Sequence, residues 1–418
     1  KSFMMFYEWN IIYKTAIDYA REKNHQEIVE LLSKGPIKKK KPSDSAKKTQ
    51  DAQSLKQESI QHRKPTQKQD KEIDSKNISS TQKLQKENES LRLKLELAES
   101  IWSLHKATKN TENCFIDDEE EQFHEYIEKV GEGATSITYK IIDTRTDTLM
   151  CKKVLKVDPK NPPTMKDVKN IMKEFEILVR INHPCICKAL FINTQEVVKD
   201  ANIKDSNNTT IAIFLEFLEI DLKKELKNGL NNTLKTKIVV EISHALNYLH
   251  KNKMIHRDLK IENIMLNSVY QAKLVDFGLV RIHECLPEYS FTEDSMTKGV
   301  GTLAYMSPEM LNEEEYDYKT DVYSFGVLLY VLFTGKVPKQ SMKDKMKGKT
   351  IAMPESSSSI SEFCINLIKK CMSIDPDDRP SFDEIIKELR KNEYALASSI
   401  DKLVIHERDM ELSLFDAK

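Results

Sequence analysis

His256-Arg257-Asp258-Leu259-Lys260-Ile261-Glu262-Asn263, followed thirteen residues after Asn263 by Asp276-Phe277-Gly278, decides how this chain is read. As side-chain chemistry, the two runs supply an acid placed to take a proton, Asp258, and a lysine placed for phosphate, Lys260. Asn263 and Asp276 add two oxygen ligands for a metal ion. Just upstream, Ile238, Val239, Ile242, Ala245, Leu246 and Leu249 recur with a 3.6-residue period. That spacing predicts a helix over 237–250 that feeds directly into the His256 loop.

The two runs, in this order, resemble the eukaryotic protein kinases, whose pattern is H-R-D-L-x-x-x-N and then D-F-G. The resemblance covers His124 to about Asn392, roughly two-thirds of the chain, and defines a domain over 124–393. It implies an α+β, bilobal kinase fold, with a small antiparallel-sheet lobe carrying one helix and a large helical lobe. The apolar segments agree, reading as strands with one helix first and as helices afterwards. The resemblance implies that Asp258 accepts or orients a substrate hydroxyl proton, while Asn263 and Asp276 hold Mg²⁺ against the phosphates of ATP. Lys260 stands where Ser/Thr kinases keep lysine, which is the main reason to expect Ser/Thr specificity. Ile261 replaces the proline common in the family.

Further upstream, Val130-Gly131-Glu132-Gly133-Ala134-Thr135-Ser136-Ile137-Thr138-Tyr139 resembles the glycine-rich hairpin over ATP. Gly131 and Gly133 allow backbone to approach phosphate without a Cβ. The sequence departs from the family at Ser136, where a third glycine is usual, and at Thr138, where valine is usual. In Cys151-Lys152-Lys153 the family pattern maps Cys151 to alanine and Lys153 to the phosphate-gripping lysine, with Lys152 as its rival. Strand alternation puts Cys151, Lys153 and Leu155 on one face. Glu174 is the expected ion-pair partner of Lys153, and Glu176 the alternative two residues on. Leu215, Glu216 and Leu218 match the hinge, where backbone groups of Glu216 and Leu218 would meet the adenine edge. Leu215 would be the gatekeeper and Met265 the floor under adenine.

Downstream, Gly301-Thr302-Leu303-Ala304-Tyr305-Met306-Ser307-Pro308-Glu309 and Asp321-Val322-Tyr323-Ser324-Phe325-Gly326 resemble the tyrosine-kinase-like group of Ser/Thr kinases. By the same resemblance Glu309 pairs with Arg379 and Asp321 braces the catalytic loop. Tyr289, Ser290, Thr292, Ser295 and Thr297 lie between Gly278 and Ser307, and a phosphate there can pair with Arg257; Thr297 is the favoured site and Ser295 the second. Gly348-Lys349-Thr350 ends like a P-loop, but position 343 is Lys, so the required upstream glycine is missing.

The flanks are of other kinds. Residues 1–35 are similar to one ankyrin repeat, with Thr15 as a helix cap and Ile28, Val29, Leu31 and Leu32 as a buried face. One repeat cannot bury that face alone, so either further repeats precede Lys1, the reading favoured because position 1 is not Met, or this is a lone amphipathic helix pair. Residues 36–80, rich in Lys, Gln, Ser and Asp without an aromatic, read as a disordered linker. Residues 81–106 fit three heptads with Asn88, Leu95 and Trp102 at a and Leu84, Leu91 and Ala98 at d, a candidate coiled coil for a homodimer. The rival reading is an amphipathic helix docked on its own kinase domain. An acidic linker spans 107–123, and a C-terminal tail spans 394–418, where Ile400, Leu403 and Ile405 mark a candidate docking helix.

Across 418 residues the formal net charge is only -1, which argues against nucleic acid as a partner. Seven cysteines, an odd count, do not read as a disulfide framework, and Cys185-Ile186-Cys187 suits a short strand. No apolar run reaches membrane-spanning length and no signal peptide is recognisable, so a cytoplasmic protein is expected. Lys38 to Lys41 could serve nuclear import or be a solvated linker run. The expected partners are protein substrates and ankyrin-bound proteins. The competing readings are a pseudokinase scaffold and a tyrosine or dual-specificity kinase.

Overall fold

The computed structural model describes residues 116, 118–133, 135–156, 164–193, 211–282, 303–349 and 351–416. All of them lie within the unit Glu96–Lys418. The ankyrin-like helix pair, the linker, the coiled coil and the Tyr289–Thr297 segment fall outside the described residues.

The described chain runs α1 (Asp118–Glu121), β1 (His124–Glu132), β2 (Ser136–Asp143), β3 (Thr148–Leu155), α2 (Met165–Arg180), β4 (Ala189–Asn193) and β5 (Ala212–Glu216). It continues through β6 (Ile220–Asp221), α3 (Leu222–Asn228), α4 (Asn232–Lys251), β7 (Met254–Ile255), β8 (Ile264–Leu266), β9 (Ala272–Leu274) and β10 (Arg281–Ile282). Six helices follow: α5 (Pro308–Leu311), α6 (Lys319–Thr334), α7 (Met342–Met346), α8 (Glu362–Cys371), α9 (Phe382–Lys391) and α10 (Lys402–Asp416). A sheet-rich first lobe and a helical second lobe result, as the sequence pattern predicts.

The small lobe is an antiparallel sheet in the order β1-β2-β3-β5-β4. Its strands alternate, so the two faces differ. Ile141, Met150, Val154, Ala212 and Phe214 bury one face with Ile116. The opposite face carries Cys151, Lys153 and Leu155 toward α2. That helix is started by Thr164, whose hydroxyl accepts from the Asp167 amide while the Asp167 carboxylate accepts from the Thr164 amide. Phe175, Ile171, Met172 and Leu178 then join α2 to the main core.

The large lobe is built round α4 and α6. Gly326 lets α6 pass close to the end of α8, because a Cβ there would stand 2.6 Å from Met372 Cγ and 2.9 Å from Cys371 Cβ. Helix α4 follows its predicted stripe only in part. Lys237, Glu241, Ser243, His244 and Asn247 are buried as well, because α10 covers the face that a surface helix leaves to water. Residues 394–416 are therefore part of the lobe: Tyr394, Leu396, Ile405 and Leu412 enter the main core. The stripe that seats α10 is Ile405, Asp409 and Leu412, whereas Leu403 is 66% exposed.

One ion pair closes the far end of this lobe. Arg379 is fully buried and uses all five of its N–H donors. Two go to Glu309, at 2.6 and 2.9 Å, and the others to the carbonyls of Ser373, Lys319 and Ile374. Burial of a charge is tolerable only with this degree of pairing. Arg379→Lys, which cannot reproduce the fork, is expected to lower unfolding free energy by about 3 kcal/mol; urea denaturation monitored by far-UV circular dichroism checks it.

Candidate active site

The site forms where α2, β3, the loop after β7 and the turn after β9 converge. Lys153, from the centre of β3, reaches Glu174 on α2 with its ammonium 2.7 and 2.8 Å from the two carboxylate oxygens. The Asp276 carboxylate stands 3.6 Å from the same ammonium. Burial disfavours the Lys153 charge, but the Glu174 and Asp276 charges outweigh it and raise its pKa. Burial pushes the Glu174 carboxyl up, and Lys153 opposes that. The alternatives drop out on geometry. Lys152 points to the other sheet face and pairs with Glu121, and Glu176 pairs with Arg180 at 2.7 Å near the surface. Glu121, inside the expected acidic linker, is thus seated on the small lobe, where it also accepts from Asn193.

The loop after β7 owes its shape to Asp321 at the start of α6. Its carboxylate accepts from the His256 amide and the Arg257 amide, both at 2.8 Å, and contacts His250 Nε2 at 2.9 Å. Burial works against the charge, yet these donors hold the Asp321 carboxyl below its usual range. This brace lets Arg257 keep a φ of 69°, a left-handed conformation that costs a non-glycine residue about 1–2 kcal/mol. Asp258 follows, with Lys260 Nζ 2.7 Å from its carboxylate. Asn263 donates to the Asp258 carbonyl at 2.8 Å and to its side chain at 3.0 Å. Both nitrogen-borne donations are spent within the loop, which leaves the Asn263 Oδ1 as the atom suited to a cation.

Asp276 also has a left-handed φ, 62°, and its side chain is 43% exposed where those of Asp258 and Glu174 are nearly closed. The next residue, Phe277, is buried and meets the His256 ring edge-on at 5.2 Å. Its amide donates to Glu174. The Asn263 amide oxygen and the Asp276 carboxylate are hard oxygen donors, which fits Mg²⁺, and the Lys153 ammonium between two carboxylates fits a phosphate.

The residues expected at the hinge follow β5 in register with β3. Cys151 pairs across the sheet with Leu215, and Thr138 with Lys153. The Glu216 amide donates to the Lys188 carbonyl at 3.0 Å, and its side chain accepts from Lys273 at 2.8 Å. Burial raises the Cys151 thiol to about 11, opposed by a hydrogen bond from the Leu218 backbone, so this sulfur is a neutral wall of the cleft. Met265 lies on β8 beneath, and Val130 is 44% exposed on β1. Gly131 pairs with Thr138, and the Gly133 amide donates to the Ser136 carbonyl at 2.8 Å, closing the hairpin. A Cβ at either glycine would meet only ordinary contacts within the chain, so the room they leave faces outward.

The protein kinase domain family pattern matches residues 124–389. This chain belongs to the protein kinase domain family. It is 29% identical over 283 residues to a probable serine/threonine-protein kinase, kinX, of Dictyostelium discoideum, covering 66% of this chain and 24% of that protein. It is 35% identical over 179 residues to the serine/threonine/tyrosine-protein kinase HT1 of Arabidopsis thaliana, covering 42% of this chain and 44% of that one. The dual specificity protein kinase pyk3 of Dictyostelium discoideum is 32% identical over 185 residues, 42% of this chain and 13% of pyk3. The match therefore spans about a quarter of the length of kinX. Among the described residues, no helix is long and apolar enough to cross a membrane.

Sequence reasoning missed Lys345. This buried lysine on α7 donates to the Ala304 carbonyl at 2.6 Å and lies 4.7 Å from the Tyr323 ring centre, so it holds the turn just before Ser307. Burial lowers its pKa from 10.5 to about 7, with Glu309 opposing. Between these values the unfolded chain binds the extra proton, so stability rises with pH across that window. Wild type is expected to gain on the order of 1 kcal/mol per pH unit above about pH 7 relative to Lys345→Met, read from urea midpoints in matched buffers.

Proposed function

We propose that residues 124–393 transfer the γ-phosphoryl group of ATP to Ser or Thr hydroxyls of proteins, with the large-lobe extension through Asp416 as part of the same folded unit. The observation that carries this reading is the convergence of Asp258, Lys260, Asn263, Asp276 and the Lys153–Glu174 pair on one cleft. Asp258 accepts the proton of the attacking hydroxyl, whose oxygen bonds to the γ-phosphorus as the β–γ bridging oxygen leaves with ADP. Lys260, held against Asp258, stays beside the attacking group and offers its ammonium to the transferred phosphoryl oxygens. Lys153, oriented by Glu174, grips the α- and β-phosphates. Asn263 and Asp276 would hold Mg²⁺, which when bound offsets negative charge on the phosphate oxygens.

Lys260 supports Ser/Thr specificity within the tyrosine-kinase-like group. The names of HT1 and pyk3 favour a second reading, a kinase that also accepts tyrosine. The complete set of catalytic side chains weighs against a pseudokinase scaffold, despite Ser136 and Thr138. A cytoplasmic setting, ankyrin-mediated partners and a coiled-coil dimer remain part of the proposal. Purified chain with ATP·Mg²⁺ is expected to yield phosphoserine and phosphothreonine, and Asp258→Asn and Asp276→Asn to lose at least about a hundredfold in rate. No transfer by a folded wild-type chain, its activation segment phosphorylated, would favour the scaffold; phosphotyrosine would favour the second reading.

Regulation by phosphorylation belongs to the same proposal. Arg257 Nε is buried without a hydrogen-bond partner among the described residues. A phosphate on Thr297 or Ser295 would supply a charge-assisted acceptor there and order the segment. The Thr297→Ala, Ser295→Ala double variant is expected to lose most of the activity; activity equal to wild type would remove this idea.

A further inference from the structure

Helix α10 lies beyond the 124–389 family match, yet its polar side chains contact α4 and the 183–187 segment. Glu241 on α4 is completely buried, and its two oxygens do different things. Oε1 accepts from Arg408 Nε of α10 at 2.7 Å. Oε2 accepts from the backbone amide of Ala272 at 2.8 Å, the first residue of β9. Lys237 stands farther off, at 3.9 Å. Arg408 is thus the close counter-charge for a carboxylate that fixes the start of β9.

Strand β9 leads straight to Asp276 and is paired on both sides. Leu274 donates to the Cys185 carbonyl and accepts from the Cys187 amide, each at 2.9 Å. The Val275 amide donates to the Asn263 carbonyl at 2.9 Å. The segment 183–187 follows α2, the helix that carries Glu174. One short ladder therefore sets Asp276, Asn263 and the end of the Glu174 helix against each other.

Helix α10 also reaches this segment at its start. His183 Nδ1 accepts from the Cys185 amide at 3.1 Å, and its Nε2 stands 3.3 Å from Asp416 Oδ1, an electrostatic contact without hydrogen-bond alignment. The ring lies between Tyr248 and Phe415, at 5.1 and 5.5 Å. The other Asp416 oxygen is 2.7 Å from His244 Nδ1, and His244 Nε2 is 2.8 Å from Asp409. Arg390 and Tyr394 complete the Asp409 site at 2.6 Å each. The helix is locked in place, so Arg408 and Asp416 can act as fixed points.

We infer that Arg408 and Asp416 are positioning residues for phosphoryl transfer: through Glu241–Ala272 and through His183 they hold β9 and the 183–187 segment in the register that sets Asp276 against Lys153 and Glu174. This rests on the kinase reading for its catalytic consequence, but not for its structural one. Replacing Arg408 leaves Glu241 charged and buried without its close partner, and the carboxylate is then driven to leave the Ala272 amide or to take up a proton. Either event loosens β9.

The test uses the full chain as wild type, Arg408→Gln, the pair Glu241→Gln with Arg408→Gln, and Asp416→Ala. Amide hydrogen exchange is followed in peptides spanning 183–187 and 272–276, with 322–333 of α6 as an internal reference. Mg²⁺-dependent ATP affinity and the separate kcat and KM for ATP are measured on the same preparations. Arg408→Gln is expected to speed exchange in both segments but not in α6, and to weaken Mg²⁺·ATP binding about tenfold. The Glu241/Arg408 double variant is expected to recover most of both losses, since glutamine still accepts from Ala272 without leaving a charge. Asp416→Ala should speed exchange chiefly at 183–187. Should Arg408→Gln not fold, the double variant and Asp416→Ala carry the test. A lowered melting temperature with exchange in both segments and ATP affinity unchanged would overturn the inference, leaving α10 a stabilising helix only. A wild-type chain that transfers no phosphate would sink the kinase reading, while the exchange data would still judge the ladder.

Discussion

Asp321 is the carboxylate on which the catalytic centre depends. It is completely buried, and an unpaired charge there would be prohibitive, so the surrounding chain must bring donors to it. The His256 and Arg257 amides and the His250 ring do so. Satisfying Asp321 forces the backbone of the His256 loop into its left-handed turn and so aims Asp258 and Asn263. Function here follows from an electrostatic obligation: the loop has the shape that keeps a buried charge paired.

The same constraint recurs across the large lobe with different outcomes. Arg379 meets it completely, with every donor used, and the result is a rigid clamp on Glu309. Glu241 meets it with one side chain from α10 and one backbone amide from β9, which makes it a connector between distant elements. Lys345 meets it with carbonyls and an aromatic face, which solvate an ammonium less well than water does, and its pKa falls. His244 lies between Asp409 and Asp416, where both ring nitrogens face carboxylate oxygens; burial opposes its charge, but those contacts raise its pKa.

Much of the site was legible in order along the chain. Asp258, Lys260, Asn263 and Asp276 lie within twenty residues, and their chemistry is tied to local loop geometry that the sequence itself encodes. Strand alternation separated Lys153 from Lys152, and the structure shows why it works: neighbouring residues on a strand must face opposite sides of the sheet. Glu174 and Glu176 were harder, since both lie on one helix two residues apart, and only the packing of α2 against β3 distinguishes them. The role of residues 394–416 was not legible. Their buried stripe of Ile405, Asp409 and Leu412 includes a charged residue, which reads as exposed until its partners His244, Arg390 and Tyr394 are known. For the same reason the apolar stripe of α4 left out Glu241 and His244, which look like surface residues without α10.

By itself the sequence determined the lobe order, the helix and strand periods, and the identities of the candidate catalytic groups. These depend on short-range rules: alternation on a strand, a 3.6-residue stripe on a helix, and acids and amides at fixed spacing in a loop. The tertiary structure alone decided which charges are buried and what pairs with them: Glu174 rather than Glu176, Arg408 on Glu241, Asp416 near His183, Lys345 beneath Ala304. The energy of a charged side chain is set by desolvation and by partners far away in sequence, and no local pattern contains that information.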